Sequence, residues 1–530
     1  MKAIAGIVNV DGAPVDHDLP WSDGHVGFRQ QPFTLDREVW LIADARIDGG
    51  GQSSDEETIL RAYQKFGENC VDHLIGDFAF VIWDKRLRRL FCARDHFGVK
   101  PFFFARVANS FIFSNALNTL RRDRRVSDAL NENAVGDYLA FGLNQDLTST
   151  IFRDIQRLPA GHTLSLANGT ITTRRYWTPA VKGEIRFRDP QSYVERFNEL
   201  FTAAIKDRLR TSRVSISMSG GLDSTSIAAV ARDLLPEPSI VRGFSNVYDK
   251  LIPDEERHYS TLAASFIGIP IHHNDADKYE LFAGELNQPE PFLISPLGGQ
   301  FDDLMRLMAA NGPVALTGYD GDALMNETRQ SYLSRLKARV KTHPKEISYP
   351  QRIDESFAKR INLKDRVREA WTAPVVDKRR PATLRALQTK VWAPLFEGYD
   401  ANATRLPLEV RHPFIDVRLV EYLLAIPAKP WCVNKHILRC AMKDRLPAAI
   451  LDRPKTPLAG DPALQLMRRA SVRWRDSFEV TPQLERFVNL SRRRSLADEN
   501  TPDAAWAKLR LFALNHWLAH SLPRDRRMVA

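Results

Sequence analysis

Short apolar or alternating runs dominate the first third of the chain. Residues 1–10, 38–43, 78–84, 90–93, 102–105 and 110–114 carry this pattern with turn residues between them, and read as short β-strands. Residues 55–66 follow the longer period, with Ile59, Leu60, Tyr63 and Phe66 on one face of an amphipathic helix. From residue 194 the two periods alternate. A helix over 194–209 carries Phe197, Leu200, Phe201, Ala204 and Ile205 on its apolar face. A strand over 214–218, a helix over 227–235, a strand over 239–244, a helix over 254–266 and strands over 270–273 and 314–316 follow. Strands alternating with helices predict a parallel, doubly wound sheet, whose ligands lie at the carboxyl ends of its strands. The pattern thus predicts an α+β unit over 1–185 and an α/β unit over 190–530, joined by a charged stretch.

Length and composition fit this division. A chain of 530 residues holds two or more domains, and 44% hydrophobic with 26% charged residues is the balance of a globular protein. No apolar run reaches the 18 residues of a membrane span, and the N-terminus reads as a strand rather than a signal peptide. The four cysteines, Cys70, Cys92, Cys432 and Cys440, have no close-pair metal spacing, which predicts a reduced, cytoplasmic protein. Much of the net charge of +10 falls in a basic helical insertion over 326–390, where residues 329–369 hold 12 Lys and Arg against 5 Asp and Glu. That insertion is either a solvated helical face or a flap handling an acidic or extended substrate. Nucleic acid and membrane are not expected partners.

The candidate chemistry sits where strand 214–218 meets the next helix. Met218 leads into Ser219-Gly220-Gly221-Leu222-Asp223-Ser224. A glycine turn opening a helix offers backbone N–H groups to an anion, and the two serines add hydroxyl donors. A carboxylate beside phosphates repels them unless a cation intervenes, so Asp223 is a candidate Mg²⁺ ligand. No lysine closes the segment, unlike a Walker loop. A second acidic turn, Thr317-Gly318-Tyr319-Asp320-Gly321-Asp322, ends the strand over 314–316 and offers Asp322 as a second ligand.

The first segment resembles the pyrophosphate loop of enzymes that cleave ATP to AMP. Five further stretches are similar to the asparagine synthetase superfamily: residues 74–84 and 93–102, like its glutaminase domain, and residues 408–422, 435–442 and 446–455, like its synthetase domain. The resemblance implies an Ntn-hydrolase-like sandwich followed by an ATP-pyrophosphatase domain, with ATP and Mg²⁺ as cofactors. It implies nucleotide binding by Met218, Ser219, Gly220, Gly221, Asp223, Ser224 and Gly318. It also implies metal binding by Asp223 and Asp322, and charge compensation by Lys455 as pyrophosphate leaves. Ala5 stands where the family carries its nucleophilic cysteine, and Asp44-Ala45-Arg46 replaces its Asn-Gly-Glu segment. A methyl group cannot attack an amide, so no glutaminase activity is expected. Arg94-Asp95 reads as a structural ion pair, and Glu409, Arg411 and Asp416 as structural.

Residues 392–399, 411–418, 430–435 and 453–458 look most like lasso peptide cyclases, which are related to β-lactam synthetases. This resemblance implies adenylation of an Asp or Glu side chain of a core peptide and ring closure by its N-terminal amine. A leader peptidase and a leader-binding protein would be partners. By likeness to β-lactam synthetases, Tyr319 and Glu397 would form the base that deprotonates the amine. Asparagine or small-molecule β-lactam synthesis is the alternative.

Overall fold

The alternating runs of the first third pair into two antiparallel sheets. In chain order the strands are β1 (Ala5–Asn9), β2 (Trp21–Asp23), β3 (Val26–Phe28), β4 (Phe33–Thr34), β5 (Val39–Ile47), β6 (Gly76–Asp84), β7 (Arg89–Arg94), β8 (Phe103–Val107), β9 (Ser110–Ser114), β10 (Ile155–Arg157), β11 (His162–Ala167) and β12 (Thr170–Arg175). One sheet runs β10-β8-β9-β1-β3-β2, the other β12-β11-β7-β6-β5-β4. The computed structural model describes residues 4–15, 18–49, 51, 53–235, 237, 240–284, 288–327, 352–372, 377, 379–454, 460–469, 479–489 and 502–521.

Side chains alternate across each strand, and this builds three parallel cores. Val8, Phe28, Phe104 and Phe113 of one sheet meet Val81, Trp83, Cys92 and Leu164 of the other. The opposite face of the second sheet puts Leu41, Phe80, Ile82 and Phe91 under Ile59, Leu60 and Tyr63 of the helix Asp55–Phe66. That helix starts on Ser54, whose side chain accepts from the Glu57 N–H, and ends at Gly67. The outer face of the first sheet, with Phe103, Ala105 and Ile112, is covered by the helix Glu132–Phe141. The first unit is therefore a four-layer sandwich of helix, sheet, sheet and helix, as the Ntn-like expectation requires.

The second unit holds β13 (Val214–Ser217), β14 (Val241–Val247), β15 (Ile271–Asp275), β16 (Val314–Thr317) and β17 (Glu409–Arg411). They form one sheet in the order β15-β14-β13-β16-β17, with every pairing parallel. The chain winds outward from β13 in one direction through β14 and β15, then returns to β13's other side at β16. This reversal opens a crevice between the carboxyl ends of β13 and β16, where Ser217 is paired with Thr317.

The units do not pack as separate bodies. Phe357, Ile361, Leu363 and Val367 of the basic insertion, with Leu514 and Trp517 of the C-terminal helix Pro502–Ser521, share a core with Val135, Tyr138 and Phe152 of the first unit. Arg360 pairs with Glu132 at 2.8 Å and Arg366 with Asp137 at 2.5 Å. The described part of the insertion braces the two units with its apolar face, while Lys359, Lys364 and Arg368 keep the expected solvated face; residues 328–351, 373–376 and 378 of the insertion lie outside the described residues.

Charged side chains complete the junction. Arg46 pairs with Asp48 and, at 2.8 Å, with Asp77. Lys100 lies 3.0 Å from Asp44 and 3.3 Å from Glu409, and Arg208 lies 3.0 Å from Asp416 and 3.7 Å from Asp77. Arg94 and Asp95 are structural but are not hydrogen-bonded to each other. Arg94 donates to the carbonyls of Lys100, Leu158 and Gly98, and Asp95 accepts N–H groups of Gly98, Val99 and Lys100.

Candidate functional site

Two turns leave adjacent strand ends and meet in the crevice. The first opens the helix Leu222–Leu234 directly at Leu222, five residues before the helix expected from periodicity, so Asp223 lies in the first helical turn. The second opens the short helix Gly321–Met325. Two glycines permit the contact. A Cβ on Gly318 would stand 2.8 Å from the backbone nitrogen of Ser224, and one on Gly321 would collide with the Asp223 carboxylate. Asp320 supplies the bend, in the left-handed region at φ 77°. A short polar side chain tolerates that conformation, which is why aspartate can stand where the family carries glycine. Its carboxyl is 7% exposed, and burial, with Asp223 nearby, pushes its pKa up to about 8.

The crevice is a cavity of about 780 Å³. Ser219, Gly221, Asp223 and Ser224 line one side, Gly318, Tyr319 and Asp322 another, and Asn434, Lys435, Arg439 and Arg453 a third. Ser219 and Ser224 hold each other's hydroxyls at 3.2 Å. Met218 and Gly220 are not on the wall. The Met218 side chain is buried in the core and its N–H donates to the Phe244 carbonyl at 2.8 Å. The Gly220 N–H donates to Glu256 at 2.6 Å, so neither group faces a ligand. Glu256 also holds Arg453 at 3.2 Å, and the guanidinium lies 3.8 Å above the Tyr259 ring.

Asp223 and Asp322 converge on one cation. The Lys435 ammonium is 2.6 Å from Asp223 and 2.9 Å from Asp322. Two carboxylates that already share a positive charge present the hard oxygen donors that a divalent cation takes. Among the described residues no group of three or more His, Cys, Asp or Glu could hold a metal ion, so the described part of the site offers this pair and no larger cage. Lys455 lies outside the described residues.

The expected pair of Tyr319 and Glu397 is not formed. Tyr319 is 41% exposed at the cavity wall, and its hydroxyl accepts from the Tyr399 hydroxyl at 3.0 Å. Glu397 is 4% exposed and takes Arg157 in a bidentate pair at 2.6 and 2.9 Å, with Arg94 at 3.4 Å. Glu397 and Tyr399 both belong to the helix Trp392–Tyr399, but Glu397 turns to the arginines of the first unit, and Tyr399 reaches Tyr319 on the cavity wall. A carboxylate clamped by two guanidiniums away from the cavity cannot reach an amine there. Behind Tyr319, His412 contacts the Thr317 hydroxyl at 2.7 Å, and burial lowers its pKa to about 4, so the ring is neutral at neutral pH.

Lys435, Arg453, Glu256 and Tyr399 are the site residues that sequence reasoning missed. Lys435 and Arg439 carried a signal. Both fall in the similar segment 435–442, Lys435 as the residue that precedes the helix His436–Ala441 and Arg439 within it. Tyr399 carried one too, since it follows Trp392 and Phe396 at helical spacing.

Comparison with known proteins agrees with this arrangement. The glutamine amidotransferase domain family matches residues 50–177, and the asparagine synthase family matches residues 196–519, more than half of the chain. An asparagine synthetase (glutamine-hydrolyzing) 3 of Bacillus subtilis is 26% identical over 77% of this chain and 70% of its own. A putative asparagine synthetase of Methanocaldococcus jannaschii is 30% identical over 42% of each chain. The amidase chyE of Penicillium rubens is 25% identical over 42% of this chain and 34% of its own. Two adjacent strand-end turns, a converging carboxylate pair and a match through the whole second unit lead to one statement: the chain belongs to the asparagine synthase family, the ATP-dependent ligases that form carbon–nitrogen bonds.

Proposed function

We propose that this ligase is a lasso peptide cyclase. It activates an Asp or Glu side chain of a core peptide as the acyl adenylate, and the peptide's own N-terminal amine closes the macrolactam. The observation that carries this reading lies in the first unit. Ala5, in the nucleophile's place, is a methyl group 5% exposed in β1, and Asp44 and Arg46 are spent on Lys100, Asp48 and Asp77. A chain that releases no ammonia must take its amine from elsewhere, and a cyclic amide draws both reacting groups from one molecule. A leader peptidase and a leader-binding protein would prepare that substrate.

The chemistry has two steps. A carboxylate oxygen of the peptide bonds to the α-phosphorus of ATP as the bond to pyrophosphate breaks. The amine nitrogen then bonds to the acyl carbon as AMP leaves. The N–H groups opening the helix Leu222–Leu234, with Ser219 and Ser224, receive phosphate oxygens. Asp223 and Asp322 would hold Mg²⁺, which supplies charge compensation on those oxygens. Lys435, Arg453 and Lys455 offset the charge of departing pyrophosphate. Tyr319, once its own proton has passed to solvent, takes the proton from the attacking ammonium as the phenolate and ends as the neutral phenol, and the hydrogen bond that Tyr399 donates stabilises the phenolate beforehand. Tyr399 thereby fills the place expected of Glu397.

The relatives' names favour a second reading, asparagine formation from aspartate and free ammonia. Incubation with ATP and Mg²⁺, and either a core peptide or aspartate plus ammonium, separates the two. Mass loss of one water from the peptide with AMP release is the expected result. Asparagine as the sole amide product would overturn the cyclase reading.

A further inference from the structure

Lys435 stands where a metal ion would have to stand. Its nitrogen bridges Asp223 and Asp322 at 2.6 and 2.9 Å, and its side chain is 13% exposed against 14% and 40% for the two partners. The backbone is bent to put it there. Asn434 and Lys435 both adopt the left-handed region, at φ 50° and 56°, which residues with a Cβ rarely enter once and seldom twice in a row. Such conformations persist where surrounding contacts enforce them, and they gather at functional positions. The enforcing contact is the Lys435 N–H, which donates at 2.9 Å to the carbonyl of Met325, the last residue of the helix that carries Asp322. The lysine is thus fastened to the element of its own counter-charge.

We infer that Lys435 is a resident cation that closes the carboxylate pair to a divalent ion until a nucleotide enters. A divalent ion needs the same oxygens at about 2.1 Å, and an ammonium 2.6–2.9 Å from both leaves it no room. The four-carbon stem lets the ammonium swing, and it lines the same cavity as Ser219 and Ser224. A triphosphate in that cavity draws the ammonium to itself and frees the carboxylates for the ion that arrives with it. Metal and nucleotide therefore load as one unit, and the nucleotide-free protein ignores the metal alone. The inference rests on the reading of Asp223 and Asp322 as metal ligands.

The test is a titration with Mn²⁺ alone, followed by the loss of the free-ion paramagnetic resonance signal. Wild type without nucleotide is expected to bind weakly. Lys435→Met, which keeps the stem and removes the charge, is expected to bind at least about tenfold more tightly. Asp223→Asn added to Lys435→Met should abolish the gain. Lys435→Gln serves in its place if the methionine variant does not fold, as judged by circular dichroism. Equal nucleotide-free Mn²⁺ affinity in wild type and the folded variant overturns the role given to Lys435. Absence of Mn²⁺ binding in both, even with a non-hydrolysable ATP analogue, overturns the carboxylate reading and the inference with it.

Discussion

Replacing Glu397 with glutamine asks whether this carboxylate is a counter-charge or a base. The substitution keeps size and shape and removes one charge. Around it two buried guanidiniums, Arg94 and Arg157, face two buried carboxylates, Glu290 and Glu397, all four side chains at most 4% exposed. The four charges cancel. Glutamine leaves two positive charges against one, and it turns an N–H₂ donor toward guanidiniums that can only donate. Removing one partner of a buried ion pair costs about 3–5 kcal/mol, a large share of the roughly 5–15 kcal/mol that holds a domain folded. One kcal/mol moves the melting point of a 150–250-residue domain by about 2–4 °C, and that of a larger cooperative body by less, so the transition that melts the joined units should fall by several degrees. Calorimetry gives that shift. ATP–pyrophosphate exchange and amide product, measured below the transition, should fall together or not at all. A variant that melts within a degree or two of wild type and loses only amide formation would refute the reasoning and restore Glu397 as the base.

Asp223→Asn and Asp322→Asn should each cut Mg²⁺-dependent AMP formation by about 10²-fold or more without unfolding the chain, and ordinary turnover in either would exclude the pair as ligands. Tyr319→Phe should spare pyrophosphate exchange and slow amide formation by about 10²–10⁴-fold, with Tyr399→Phe acting in the same direction but less; equal loss of both steps would remove Tyr319 from proton transfer. Glutamine should give no glutamate above background, because Ala5 has no thiol; release that disappears on deleting the first ten residues would contradict this. His412 is neutral when folded, with a pKa near 4 against 6.5 for the free side chain, so the stability it supports is intact above pH 6.5 and fades as the pH falls toward 4. Urea midpoints of wild type and His412→Asn across that window should converge, and a constant gap would show that burial of the ring carries no pH cost.

The sequence made the strands legible because burial on both faces leaves an unmistakable apolar run, as in Phe78 to Trp83. Asp55–Phe66 was legible to the residue, since capping serine and closing glycine flank one clean apolar stripe. The two strand-end turns were legible as local motifs. Their shared edge followed from the predicted parallel sheet, but the register that pairs Ser217 with Thr317 did not, because it joins positions a hundred residues apart through an intervening crossover. Glu397 was misread for the same reason. Its partner Arg157 is 240 residues away, and an acidic residue on a helix looks alike whether it faces water, a substrate or a buried arginine. Lys435 is the opposite case: nothing in its local sequence announces two left-handed residues, and only the fold puts its ammonium between two aspartates.

The helix Pro502–Ser521 makes the first unit part of the second unit's support. Trp517 lies against Phe152 with ring centres 5.7 Å apart, and Arg121 donates to the carbonyl of Ser521 at 2.7 Å. The last turns of the second unit therefore rest on a floor laid by the first. Phe152, Tyr138 and Val135 belong to the first unit by chain order and to the second by what they hold up, so a change at any of them is felt in the synthetase half. Cutting the first unit away would strip the ligase of its own foundation.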